Sequence, residues 1–136
     1  MIDMENLQDS LYNSFIDNAK EWVAELEGGF LTLEKSPRNK ELINDVFRIA
    51  HNIKGMSGTA GLNDICRFAH SVEDLLFLIR EGRLVPDKQL ISVLLKAADL
   101  MREMVESSAL KEQFDFSECE RWMRGMEMRF MGKEQR

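Results

Sequence analysis

The first of the two histidines in the chain stands among residues suited to chemistry. It lies in the string Ala50-His51-Asn52-Ile53-Lys54-Gly55-Met56-Ser57-Gly58, with a lysine three residues on and glycines four and seven residues on. On a helix this spacing puts Lys54 one turn away, ~4.5 Å along the axis, and leaves bare backbone at Gly55 and Gly58 on the side of the imidazole. Imidazole has a pKa near ~6.5, so a nitrogen lone pair is available at neutral pH. An arriving phosphoryl group carries negative charge, which a neighbouring ammonium stabilises. Each interior glycine costs ~1 kcal/mol relative to alanine, which a purely structural helix has no reason to accept. Here the missing side chains let a partner's pocket approach the ring. The pattern suits phosphoryl transfer to an imidazole nitrogen.

A second cluster, His70, Glu73 and Phe77, is spaced i, i+3, i+7 and falls outside the inward stripe of its own helix, on the side of Cys66. If that side faces His51, Glu73 accepts a hydrogen bond from one ring nitrogen. The other nitrogen then becomes the nucleophile, as in any nucleophile–orienter arrangement. The plain alternative is a solvated pair, since exposed i, i+3 pairs are common and contribute little. His51, His70 and Cys66 lack a fourth ligand and the usual spacing, so no metal site is expected.

These residues need helices to hold them. Leu7, Leu11, Phe15, Ala19, Trp22, Val23, Leu26, Phe30 and Leu33 cover half of a helical wheel and predict a helix over about 7–34, kinked or frayed at Gly28-Gly29. Turn residues at Ser36-Pro37-Arg38-Asn39 end it. Apolar stripes predict further helices over about 40–57, 62–81 and 87–108. Gly82 suits the C′ position after the third, and Pro86 the first turn of the fourth. Ser117 with Glu120 reads as a capping box for an appended helix within 110–131, and residues 132–136 as a frayed tail. Short connections favour antiparallel neighbours. The expected fold is all-α, with a four-helix bundle over 1–109 and one helix added.

Composition removes other classes. With 136 residues the chain is one domain's worth, and 44% hydrophobic residues suffice for a core. Eighteen Lys and Arg against 24 Asp and Glu give a net charge of −6, which argues against nucleic acid. Two cysteines make no disulfide framework and suit a reducing compartment. No apolar run is long enough for a membrane span and the start is not a signal peptide, so a cytoplasmic protein is expected. The nine methionines read as core filler, and Arg121, Arg124 and Arg129 as a solvated basic face.

The string from Ala50 to Leu62 resembles the signature of histidine phosphotransfer (HPt) domains, H-x-x-K-G-x-[SA]-x-x-x-G. Phe47-Arg48 before it and His70-Ser71-Val72-Glu73-Asp74-Leu75-Leu76 after it match as well, closest to the amino-terminal phosphotransfer domain of CheA-type chemotaxis histidine kinases. The resemblance covers about residues 7–105. It implies an antiparallel four-helix bundle in which His51 is phosphorylated on its outward nitrogen by a histidine-kinase catalytic domain. The phosphoryl group then passes to an aspartate of a response-regulator receiver of the CheY kind. By the same resemblance Lys54, His70 and Glu73 form the polar network around the acceptor, and Gly55 opens the surface. ATP and Mg enter only through the partner kinase. The chain shows no nucleotide-binding glycine motif and nothing of the kinase's further domains, so self-phosphorylation from ATP is not expected. The alternative is an interaction module with this fold and no phosphoryl chemistry.

Overall fold

The computed structural model describes residues 3–132. Five α-helices carry the chain: α1 Met4–Lys35, α2 Lys40–Thr59, α3 Asn63–Arg80, α4 Lys88–Ala109 and α5 Ser117–Met126, the last running into a π-helical turn, Glu127–Met131. There is no strand among the described residues. The first four helices form an antiparallel bundle. The amino-terminal end of α1 meets the carboxyl-terminal end of α2 through a hydrogen bond from Gln8 Nε2 to the Ala60 carbonyl (2.7 Å). The same helix is tied to α4 by Arg102, whose guanidinium lies 2.9 Å from Glu27 and 3.0 Å from Asp99.

The apolar stripes fill one core. Phe15, Phe30, Leu26 and Leu33 from α1, Val46 and Ile53 from α2, Phe68, Leu75 and Leu76 from α3, and Leu94, Leu100 and Met101 from α4 are buried together. At roughly 1.5–3 kcal/mol for each buried side chain, this apolar core is the main drive to fold. Caps set several of the ends: the side chains of Asp3, Asn39 and Asp87 accept from backbone N–H groups in the first turns of α1, α2 and α4. Gly82 adopts φ +76° after α3, as the C′ reading requires. No helix among the described residues is long and apolar enough to cross a membrane.

Several local expectations are corrected. No fraying appears at Gly28-Gly29: α1 runs unbroken through both glycines. A Cβ at Gly29 would land well inside van der Waals contact of Val46 Cγ1, so this glycine sits where α1 and α2 cross closely. Pro86 lies one residue before the Asp87 cap rather than in the first turn of α4. The capping box at Ser117 does not form: Phe116 occupies the cap position, and the Ser117 amide bonds instead to Asp115 Oδ1 (3.0 Å). Asp115, two residues upstream, reaches that amide as an Asx turn would. The appended helix begins at 117, leaving 110–116 as a loop with Lys111 at φ 55°. Of the methionines, Met101, Met104 and Met126 fill the core, whereas Met4, Met56 and Met128 are exposed. The tail expected at 132–136 lies, beyond Gly132, outside the described residues.

Helix α5 packs on the α3/α4 side. Trp122 donates its indole N–H to the Val93 carbonyl (3.0 Å) and tilts against Phe68, ring centroids 5.0 Å apart. Lys96 and Arg67 pair with Glu118 (2.9 Å) and Glu120 (3.3 Å) of α5. The opposite side of α3 is left to α2.

Candidate functional site

The antiparallel pairing of α2 and α3 decides which side chains meet. The turn between them is tight, with Gly61 at φ +82°, and a Cβ added at Gly58 would lie 3.2 Å from Cys66 Sγ. The two helices therefore approach closely just beyond the Lys54 turn. Two to three turns further from the connection, α3 brings Glu73 beneath His51.

The Glu73 carboxylate bridges two groups of α2. Oε2 hydrogen-bonds with His51 Nδ1, and Oε1 lies 2.6 Å from Lys54 Nζ. Glu73 is buried, its side chain only 10% exposed, while the His51 side chain is 58% exposed and Lys54 26%. The side of α3 that carries Glu73 faces His51, so the hydrogen bond expected on that condition forms. Glu73 is buried in the α2/α3 interface rather than merely outside the inward stripe, and its two partners satisfy it. Burial alone raises the Glu73 pKa. The hydrogen bonds from Lys54 and His51 outweigh that and hold the carboxyl below its ordinary value. An ionised Glu73 accepts from Nδ1–H, which leaves Nε2 with the free lone pair on the exposed side of the ring. Ser57 is fully buried and donates to the Lys54 carbonyl (3.0 Å), so the back of this turn carries no unpaired hydroxyl.

His70 and Phe77 are exposed, as expected of that side of α3. His70 Nε2 lies 3.5 Å from Asp74 Oδ1 and makes no hydrogen bond to His51. The pair borders the site through Glu73: ligand-type atoms of His70, Glu73 and Asp74 lie within 4.8 Å of one another. Glu73 is already committed there to His51 and Lys54. Burial, and then the neighbouring Glu73 charge against the opposing pull of His70, leave the Asp74 pKa raised. Gly55 has open space where its Cβ would be, so no packing contact demands a glycine there. Gly58 does have a packing reason, its approach to Cys66. Sequence reasoning missed Asp74 and Arg80. The guanidinium of Arg80 lies 4.0 Å from the centroid of Phe47, one turn before His51, and its position at i+3 from Phe77 was the available signal.

Residues 10–112 match the family model of the Hpt domain. The chain belongs to the Hpt family. Over 94 residues, 69% of its length, this Hpt domain is 38% identical to a chemotaxis protein CheA of Rhizobium meliloti. Over 93 residues it is 38% identical to CheA of Bacillus subtilis, and over 109 residues 32% identical to CheA of Salmonella typhimurium. It spans only 12%, 14% and 16% of those relatives' lengths. Among solved structures, the Hpt domain is similar to the phosphorylated P1 domain of CheA3 in complex with CheY6 from R. sphaeroides. There the TM-score is 0.78 at 25% identity, covering 90% of this chain and 96% of that one. The CheA phosphotransferase domain from Thermotoga maritima aligns with a TM-score of 0.67 at 32% identity, covering 74% of this chain and 94% of that one.

Proposed function

We propose that this Hpt domain is a phosphoryl carrier in a chemotaxis-type relay, with His51 as the acceptor. The observation that carries the reading is the asymmetry of the imidazole: Nδ1 is held by a buried carboxylate while the ring is more than half exposed. In the first step the Nε2 lone pair attacks the γ-phosphorus of ATP bound with Mg in a histidine-kinase catalytic domain. An N–P bond forms, and the bond to the bridging oxygen breaks with its electron pair leaving on ADP. Nδ1 keeps its proton, and Glu73 balances the positive charge that the ring acquires. Lys54, one turn away, offsets the charge of the phosphoryl oxygens. Gly55 leaves room for the partner's pocket, and His70 with Asp74 borders the carboxylate.

In the second step a carboxylate oxygen of a receiver aspartate attacks the phosphorus, an O–P bond forms, and the N–P bond breaks with its electron pair returning to Nε2 of a neutral imidazole. The P1 domain of CheA3, seen phosphorylated and bound to CheY6, supports a CheY-like partner. The chain supplies no ATP site of its own in this reading, needs no metal beyond the kinase's Mg, and works in the cytoplasm.

The test is labelling. A CheA-type kinase catalytic domain and radiolabelled ATP should phosphorylate the wild-type chain, giving an acid-labile, alkali-stable product, and should leave His51→Gln unlabelled. Undiminished labelling of that variant overturns the assignment. Failure to label the wild type while receiver binding persists favours an interaction module without phosphoryl chemistry.

A further inference from the structure

Beside the His51–Glu73–Lys54 cluster, the α2/α3 face carries a second built arrangement. The Arg80 guanidinium carbon lies 4.0 Å from the Phe47 ring centroid and 5.5 Å from that of Phe77. Phe47 precedes His51 by four residues and Phe77 follows Glu73 by four. Both aromatic positions are therefore about one turn, roughly 6 Å along the helix, from the site and on the side away from Lys54. Arg80 is exposed, and Phe77 is 39% exposed.

The cations of this face differ in what they are committed to. Lys54 is 2.6 Å from Glu73, and Arg48 is 2.8 Å from Asp45. Arg80 has no carboxylate within ion-pair distance among the described residues; its contacts are the two rings. Stacking engages the flat face of a guanidinium and leaves donors on its edge for a planar carboxylate, which they meet as a fork. A side chain already held by two rings also loses little freedom when it pairs.

We infer that Arg80, held over Phe47 and Phe77, is a docking cation for the acidic face of the receiver that takes the phosphoryl group from His51. The inference rests on the carrier reading above and adds the contact that favours the second partner. Phosphorylated His51 brings roughly two negative charges, on a chain whose net charge is already −6. The acceptor is itself a carboxylate, so the two faces repel as they close. Lys54 is already engaged by Glu73 and the phosphoryl oxygens, whereas Arg80 is a cation of this face stacked on the ring of Phe47 with no carboxylate of its own among the described residues. Its ring partner Phe47 lies one turn from His51, which puts the guanidinium at the rim of the contact, where a charge acts on encounter and salt dependence more than on chemistry.

The experiment uses the full chain, labelled by a CheA-type kinase catalytic domain and chased by rapid quench into a CheY-type receiver of the same genome. Receiver and salt concentrations are varied. Arg80→Gln should raise the half-saturating receiver concentration about 5- to 20-fold with no matching fall in the maximal transfer rate, and should flatten the salt dependence. Arg80→Lys should restore the salt dependence but only part of the affinity, because lysine lacks the planar fork. The side chain is exposed, so matching thermal unfolding of wild type and variants checks the fold. Wild-type half-saturation and salt dependence in Arg80→Gln would overturn the inference while leaving the carrier reading standing. So would a defect as large in kinase labelling as in transfer, which would assign Arg80 to the kinase instead. A wild-type chain that takes no label overturns both.

Discussion

Removing the Glu73 carboxylate tests the link between geometry and reactivity most directly. In the folded chain it accepts from His51 Nδ1 and sits 2.6 Å from Lys54 Nζ. A hydrogen bond to an ionised partner contributes roughly 1.5–3 kcal/mol. With the His51 side chain 58% exposed, water competes for the ring, so the lower end, about 1.5 kcal/mol, applies here. If that bond holds the reactive tautomer and steadies the cationic ring of the product, its loss slows phosphorylation about tenfold, since ~1.4 kcal/mol is one decade. Glu73→Ala should therefore lower the initial labelling rate of His51 by ~10-fold at saturating ATP. Glu73→Gln keeps a carbonyl oxygen for Nδ1–H but neither balances the ring charge nor neutralises Lys54, so it should fall between wild type and alanine. Lys54 is 26% exposed and can turn to water, so both variants should retain native helicity. A Glu73→Ala rate within about twofold of wild type, or a Glu73→Gln rate below that of alanine, would refute the orienter account.

Three further outcomes are expected. Lys54→Ala should shorten the lifetime or lower the yield of phosphohistidine by ~3- to 10-fold, as followed by loss of alkali-stable label. Acid stability should depend on Glu73. Its folded pKa lies below the ordinary value of 4.5, so its stabilisation is present above that pH and lost as pH falls through the folded pKa. Asp74 is shifted the opposite way, so the comparison is between wild type and Glu73→Gln by urea midpoints from pH 7 to pH 3, and the gap should close toward the acid end. The neighbouring glycines of α1 should respond with opposite signs. Gly28→Ala meets open space and should stabilise by up to ~1 kcal/mol, whereas Gly29→Ala collides with Val46 and should destabilise by ~1–3 kcal/mol in denaturant titration.

Helix periodicity made most of the fold legible. The predicted α2 begins at residue 40, as observed, and α1, α3 and α4 are displaced at their ends by only one to three residues. What escaped was whatever depends on register between helices. Periodicity alone could not say which way the Glu73 side of α3 faces, so its hydrogen bond to His51 stayed conditional until α2 and α3 were paired. Gly29 looked like a helix breaker because its use, a close crossing with Val46, belongs to another helix. The Ser117–Glu120 pair satisfied a spacing rule, yet Asp115 was nearer to the amide in need. Arg80 was invisible for a related reason: stacking on Phe47 across the interface needs the antiparallel offset of α2 and α3, which no single helix displays. His51 itself was legible because the glycine and lysine spacing lies within one helix.

The two glycines after His51 show how the helix pair reconciles a fixed ring with an open one. Gly58 faces Cys66 at a distance that a Cβ would crowd, so it serves the close approach of α2 to α3. That approach lets a side chain as short as glutamate reach both His51 and Lys54 from the neighbouring helix. Gly55 has open space where its Cβ would be, so no contact within the fold requires a glycine there, and in the proposed reading it serves access. Orientation is thus supplied from the buried side of α2 and access from the exposed side, by residues three positions apart. An imidazole held at Nδ1 by a buried carboxylate needs no further contact above it to keep its angle, which is why, in the carrier reading, the surface over Nε2 is free to receive a partner.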